Sequence, residues 1–349
     1  MGDNEIRIAV DAMGSDMGPE EVIAGVSMFL KEYKDPVKII LAGIESEIAP
    51  IAQENGIGNF VEFLDAPEVV SMEDKPMLTL KRKKNSSMHM AIDYLKEKKA
   101  NALLSCGNTG ALMAGGTLKL RPMKGVERPA LGSVIPSKDR RFIMIDVGAN
   151  PNPRELHYLS NAVLGANYAK IALKIENPKV GLLTIGTEEG KGNEIVQKAH
   201  EILKKTAPLI NLNYVGPVEG FQVFGGDCDV IVCDGFTGNI LLKSCEGLFK
   251  TLASLLKEEL TKNIFRKIGA AVCMGAFKAM KARIPVEKVS GAPLLGLNEL
   301  IIKGHGSSNR HQICGALNIC AQCVKNSLID SIKQDIDNIS KILNPNSDD

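Results

Sequence analysis

The sequence predicts a doubly wound, mostly parallel sheet in an α/β/α arrangement, on three observations. Short runs of β-branched and aliphatic residues recur along the chain and are apolar at consecutive positions, as strands covered on both faces must be. Stretches with helical periodicity fall between them, and most of the apolar runs end in a glycine-rich polar turn that opens the next helix.

The first run, IRIAVDA at 6 to 12, enters DAMGSDMGPEE and a helix predicted over Glu20 to Glu32. VKIILAG at 37 to 43 is a second strand, and a helix over Ser87 to Lys98 precedes ALLS at 102 to 105. FIMIDVG at 142 to 148, VGLLTIG at 180 to 186 and DVIVCDG at 229 to 235 continue the sheet. Helices over Leu156 to Lys174, Gly192 to Lys205 and Asn239 to Leu260 separate and follow them. With no repeat, low-complexity tract or long linker, residues 1–349 read as a single catalytic α/β unit, or as two lobes around a cleft. Residues 245–285 read as a protruding amphipathic helical hairpin, and the tail after Asn344 as frayed.

A chain of 349 residues can bury a large core, and its 42 basic and 41 acidic side chains leave a net charge of +1. That balance gives no global attraction to nucleic acid or anionic lipid, so any charged partner is met by a local patch. Eight cysteines in apolar runs such as VIVCDGF and NICAQCV, and a first strand that leaves no space for a signal peptide, predict a reducing, cytoplasmic compartment. Gly2 fails the myristoylation pattern because Ile6 stands where Ser or Thr is needed. The uncharged stretch Ala100 to Leu118 holds Asn101, Ser105, Asn108, Thr109 and four glycines, which predicts strand, loop and buried helix rather than a membrane span.

Helix N-termini at strand ends favour anions, through free amides and the helix dipole. The polar turns here are Asp11 with Gly14, Asp16 and Gly18; Gly107 and Gly110 with Asn108 and Thr109; Asn150 in ANPNPRE; Lys191 between Gly190 and Gly192, followed by Asn193; Gly235 and Gly238 with Asn239; and His305 between two glycines, followed by Ser307. A single glycine turn is usually no more than a tight turn, but their recurrence predicts one shared polar cleft. No turn matches the nucleotide patterns G-x-x-x-x-G-K-[ST] or G-x-G-x-x-G, so no cofactor is expected. His311, Cys314, Cys320 and Cys323 share helical spacing with Ile313, Leu317, Val324 and Leu328, so they read as buried thiols and not as a metal site. Cys106 has no His partner in sequence and reads as structural. His305 is open to either a ligand contact or a structural hydrogen bond.

Lys81, Arg82, Lys83 and Lys84 form a basic run that is either a solvated face or a steering patch for an acidic partner. Leu248, Phe249, Leu252, Leu255, Leu256 and Leu260 recur at helical spacing. Phe265, Val272, Met274 and Phe277 then alternate with Lys262, Arg266, Lys267 and Lys278, which suits either a lipid interface or a buried helix pair.

The blocks AVDAMGSD, KPMLTLKRKKNSSM, SCGNTGALMAG, DVGANPNP, LLTIGTEEGKGNE, VEGFQVFGGDCDVIVCDGFTGN, GAPLLG and HGSS, taken in order, resemble the acyl carrier protein dependent phosphate acyltransferases of bacterial phospholipid synthesis. Ser15 and Pro217 depart from the family's usual glycine and asparagine. The resemblance implies a fold similar to isocitrate dehydrogenases and phosphotransacetylases, a homodimer, and conversion of fatty acyl carrier protein plus inorganic phosphate to acyl phosphate. The product would feed a membrane-bound glycerol phosphate acyltransferase, with the hairpin tip in peripheral contact with the anionic inner face of the cell membrane and the basic run docking the carrier.

Phosphate is already a nucleophile at neutral pH and a thiolate is a good leaving group, so that reaction needs positioning and oxyanion stabilisation more than a strong base. On that expectation Lys191 and the turn amides near Asn108 and Thr109 hold phosphate or the oxyanion, with Asn239 and His305 completing the pocket. Asp11, Gly14, Gly110, Asn150, Gly192, Asn193, Gly235, Gly238 and Ser307 line it, while Asp11, Asp146 and Asp234 orient turns rather than transfer protons. Two alternatives are a phosphotransacetylase-like enzyme using short acyl-coenzyme A and a non-catalytic carrier-binding scaffold.

Overall fold

The computed structural model describes residues 5–343 except 139, 189 and 284–290. The first half runs β1 (Ile6–Asp11), α1 (Gly18–Glu32), β2 (Val37–Gly43), α2 (Glu45–Glu54), β3 (Val61–Asp65), α3 (Pro76–Arg82), α4 (Ser87–Lys96), β4 (Ala102–Ser105), α5 (Thr109–Leu120) and β5 (Ala130–Pro136). The second half runs β6 (Arg141–Ile145), α6 (Glu155–Ala172), β7 (Val180–Thr184), α7 (Glu194–Thr206), β8 (Tyr214–Glu219), β9 (Val230–Val232), α8 (Gly235–Thr261), α9 (Ile264–Val272), α10 (Met274–Arg283), β10 (Ala292–Leu295), β11 (Leu300–Lys303), α11 (Arg310–Lys325) and α12 (Leu328–Leu343).

Eleven strands form one sheet in the order β3-β2-β1-β4-β11-β10-β5-β6-β9-β7-β8. Alternate residues of each strand feed two cores. Ile8, Val10, Ile39, Leu41, Leu104, Ile143 and Val230 pack with α1, α6, α7, α11 and α12 on one face. Ala9, Ile40, Leu103, Phe142, Met144 and Ile231 pack with α4, α5 and the first turns of α8 on the other. The outcome is the predicted three-layer α/β/α sandwich, because strands with both faces apolar need helices on both sides.

The directions of the strands refine the expectation. β1, β2, β3, β4 and β11 are mutually parallel, and so are β6, β7, β8 and β9. Between these blocks β10 is antiparallel to both β11 and β5, and β5 is antiparallel to β6. The two parallel blocks therefore run in opposite senses, yet their carboxyl ends meet at one level of the sheet. Through β5 and β10, Ile145 at the end of β6 is level with Ile302, one residue or ~3.3 Å from Lys303 at the end of β11.

Helix ends obey local rules. Ser86, Asn108, Asn193, Asp234 and Asn309 each accept a hydrogen bond from an amide in the first turn that follows. Helix α8 starts at Gly235, four residues before the predicted Asn239, because Asp234 caps it. Five strands are absent from the sequence reading: β3, β5, β8 and β10 carry Asp, Ser, Gly or Pro and lack a continuous apolar run, and β11 is only the four residues LIIK. Residues 284 and 285 of the predicted hairpin, and the tail beyond 343, lie outside the described residues.

Candidate active site

At the carboxyl ends of β1, β4 and β11 the Asp11 carboxylate is fully enclosed. It accepts from Ser87 Oγ at 2.6 Å and from Ser105 Oγ at 2.7 Å. Burial pushes this carboxyl above the usual range, against the pull of those hydroxyls. A Cβ on Gly14 would lie 2.4 Å from Asp11 Oδ2 and 2.8 Å from the Gly107 nitrogen, so only glycine lets these two turns meet. Ser15 Oγ donates to the Gly306 carbonyl at 3.1 Å and the Asp16 amide does so at 2.9 Å, which ties the first turn to the Gly-His-Gly loop. The serine that departs from the family pattern thus serves as a clamp. Cys106 lies buried in this region with its thiol pushed up to about 11 by burial, so it is no nucleophile at neutral pH.

Asn108 does not offer the free donor expected of it. Its Oδ1 accepts from the Ala111 amide at 3.0 Å, and its Nδ2 lies 3.2, 2.9 and 3.1 Å from the carbonyls of Ser71, Met72 and Asp74. The side chain is consumed in capping α5 and holding the 71–74 loop, while Thr109 beside it is exposed and Gly110 fits under Pro76. Lys83 is likewise withdrawn from the basic run: Nζ donates to Asp74 at 2.5 Å and to the Val69 carbonyl at 2.9 Å, leaving Lys81, Arg82 and Lys84 exposed.

At the carboxyl ends of β6 and β9, buried Asp146 organises a second turn. Oδ1 accepts from the amides of Leu131, Gly148 and Ala149 at 3.2, 3.0 and 2.8 Å, and Oδ2 from Asn150 N and Nδ2 at 2.7 and 3.1 Å. Asn150 Nδ2 also donates to the Pro129 carbonyl at 2.7 Å, so both of its hydrogens are used within the turn. Gly235 packs on Asn150, and Gly238 sits so close that a Cβ would fall 2.0 Å from the Asp146 carbonyl oxygen. Asp11, Asp146 and, as the cap of α8, Asp234 each accept hydrogen bonds within their turns.

Lys191 lies apart, exposed in the turn after β7 between Gly190 and Gly192, whose φ angles of +83° and +93° require glycine. Asn193 caps α7, with Oδ1 accepting from Val196 N at 2.9 Å.

The polar turns thus fall into groups around Asp11 and around Asp146, with Lys191 in the turn after β7. Helix α8 links two of them. Asn239 lies against Gly148 of the Asp146 turn, and Lys243, one turn further along the same face, reaches His305 with Nζ to Nε2 at 2.9 Å. His305 Nδ1 meets Ser307 Oγ at 2.9 Å. Nδ1 also accepts from the Ser307 amide at 3.2 Å, so Ser307 fixes the orientation of the ring through both its N–H and its hydroxyl. Desolvation, then the charge of Lys243, lowers the His305 pKa and keeps the imidazole neutral.

Sequence reasoning missed Lys243, Lys303, Ser87 and Ser105. Lys243 carried the signal of standing four residues after Asn239 on one helix face, and Lys303 that of ending a strand beside Gly-His-Gly. Among the described residues no cluster of three His, Cys, Asp or Glu side chains is placed to hold a metal ion.

The fold is an α/β fold of the kind that phosphotransacetylases adopt. A phosphotransacetylase from Streptococcus pyogenes superposes with a TM-score of 0.59 at 16% identity, covering 97% of this chain and 95% of that one. The EutD phosphotransacetylase of Staphylococcus aureus gives 0.56 at 15% identity, covering 95% and 94%. Sequence is more specific. The profile of the family described as "Fatty acid synthesis protein" matches residues 6–331. A phosphate acyltransferase of Thermoanaerobacter pseudethanolicus is 41% identical over 334 residues, 96% of this chain and 98% of the relative. One of Brevibacillus brevis is 41% identical over 332 residues, 95% and 97%. The chain belongs to this fatty acid synthesis protein family, whose relatives are phosphate acyltransferases, and it is an enzyme of that acyltransferase class.

Proposed function

We propose that the enzyme transfers a fatty acyl group from acyl carrier protein to inorganic phosphate, feeding phosphatidic acid synthesis. A phosphate oxygen attacks the thioester carbonyl, the C–S bond breaks, and the carrier thiolate leaves and takes up a proton. The observation that carries this reading is the Lys243–His305 contact at 2.9 Å, joined through α8 to Asn239. It sets ammonium, imidazole and amide donors together on one exposed face, where they can stabilise an anion and the oxyanion of the addition step. Lys191, exposed in its turn, serves as a further cation reaching over the site, and Ser307 holds the orientation of the His305 ring.

Exposed Lys81, Arg82 and Lys84 would steer an acidic carrier. The hairpin carries exposed Leu248, Leu252, Leu255, Phe265 and Val272, the last two 83% and 82% accessible, with Phe277 half-buried. So large an apolar stripe needs a cover. We assign its stem to a homodimer and its tip to an anionic membrane surface, placing the enzyme in the cytoplasm at the membrane's inner face beside the next acyltransferase. Among the described residues no helix is long and apolar enough to cross a membrane.

Thiol release from palmitoyl carrier protein, measured with and without phosphate, tests the proposal. Release that depends on phosphate is expected, with slower turnover at low phosphate in Lys191→Ala and His305→Ala. Release from coenzyme A donors alone would favour the short-chain phosphotransacetylase reading, and no release would favour the scaffold.

A further inference from the structure

Lys303 closes β11 inside the first group of turns. Its Nζ donates to the Cys106 carbonyl at 3.2 Å and to the Gly304 carbonyl. Among the described residues no carboxylate comes within ion-pair distance of it, although most other cations near the site have one: Lys83 pairs with Asp74 at 2.5 Å and Lys243 with Glu246 at 2.8 Å. Asp11 and Asp16 act on it only at longer range. The Asp11 oxygens are already taken up by Ser87 and Ser105.

A half-buried ammonium held by two carbonyls and no counter-ion is costly unless an anion joins it. Glycines let the surrounding backbone segments approach closely. Gly14, Gly107 and Gly304 bring backbone together here, and a Cβ on Gly304 would fall 2.5 Å from Cys106 Sγ. Lys243 is near enough to repel Lys303, and both lower the proton affinity of His305. Two ammonium groups and a neutral imidazole thus crowd one corner, an arrangement that an added dianion would relieve.

We propose that Lys303 and Lys243 together hold the phosphate substrate, with Lys303 as the inner cation and His305 beside it. The inference rests on the acyl transfer reading and moves the principal phosphate contact from Lys191 to Lys303. Lys303 then orients the attacking oxygen, while Lys191, in the turn after β7, contributes from the rim.

The test compares Lys303→Met, Lys243→Met and, as a remote control, Lys325→Met, whose wild-type side chain pairs with Asp35 at 2.7 Å. In steady-state assays the KM for phosphate should rise about ten- to hundred-fold in the first two variants, the effect of one lost charge-assisted hydrogen bond. The KM for palmitoyl carrier protein should change by less than about two-fold, and the control should behave as wild type. Inorganic phosphate alone should raise the Tm of wild type and not that of Lys303→Met. Should Lys303→Met fail to fold, Lys243→Met carries the comparison. An unchanged phosphate KM in the folded variants, or a rise confined to the acyl donor, overturns the assignment. If wild type shows no phosphate-dependent thiol release yet its phosphate-induced Tm rise disappears in Lys303→Met, the reaction is wrong and the anion site stands.

Discussion

Removal of the Asp146 carboxylate should be among the most damaging single changes to the fold. Its two oxygens accept five N–H bonds, four from backbone amides and one from Asn150 Nδ2, at 2.7 to 3.2 Å. The side chain is wholly buried, so water cannot replace the lost acceptor. At ~1 kcal/mol for each stranded donor, the low end of the usual cost, Asp146→Ala loses about 5 kcal/mol. Asp146→Asn keeps one carbonyl oxygen but turns an NH2 group toward the Asn150 donors, which puts its loss at about 2–3 kcal/mol. Urea unfolding would read both values as a lower midpoint at constant m. A loss below ~0.5 kcal/mol for Asp146→Asn would refute the claim that this carboxylate organises the turn. Activity should fall along with stability, because Gly148 and Asn150 support the start of α8.

His89 should make stability depend on pH. Nε2 donates to Thr79 Oγ1 at 3.0 Å, Thr79 in turn donates to the Pro76 carbonyl at 2.7 Å, and buried Nδ1 has no partner. Desolvation lowers its pKa from 6.5 to about 4, so the unfolded chain takes the proton first. Stability is unaffected above pH ~6.5 and is lost as pH falls toward ~4, by up to about 3 kcal/mol, and His89→Gln should flatten that slope in urea titrations. Gly238→Ala should cost about 2 kcal/mol or more, since the new methyl would fall on the Asp146 carbonyl, and a normal urea midpoint would contradict this contact. Iodoacetamide at pH 8 should label exposed Cys273 and spare Cys106, as peptide mapping would show, because burial raises the Cys106 pKa to about 11. Phe265→Glu with Met274→Glu should abolish flotation with anionic liposomes, and equal recovery would remove the membrane assignment.

The layers of this protein were legible because they follow from local periodicity. Aliphatic runs such as VKIILAG can sit only in a covered strand, and the caps Ser86 and Asn193 stand by residue type at helix starts. The ordered motif blocks also carried the family, since they span most of the chain. What each polar residue of a turn contacts was not legible. Asn108 reads as a ligand donor until three carbonyls from the 71–74 loop claim its amide, and Lys83 reads as a free charge until Asp74 meets it.

Sequence by itself determined a three-layer α/β enzyme whose apolar strands run into polar, glycine-rich turns. Only the tertiary structure decided that the two parallel blocks run oppositely, that the turns divide into groups, and that α8 carries Lys243 to His305 from 62 positions away. The physical reason is that helical and strand periods are fixed by backbone geometry within a few residues, whereas strand direction and side-chain partnership depend on how distant segments pack and on which donors are already satisfied.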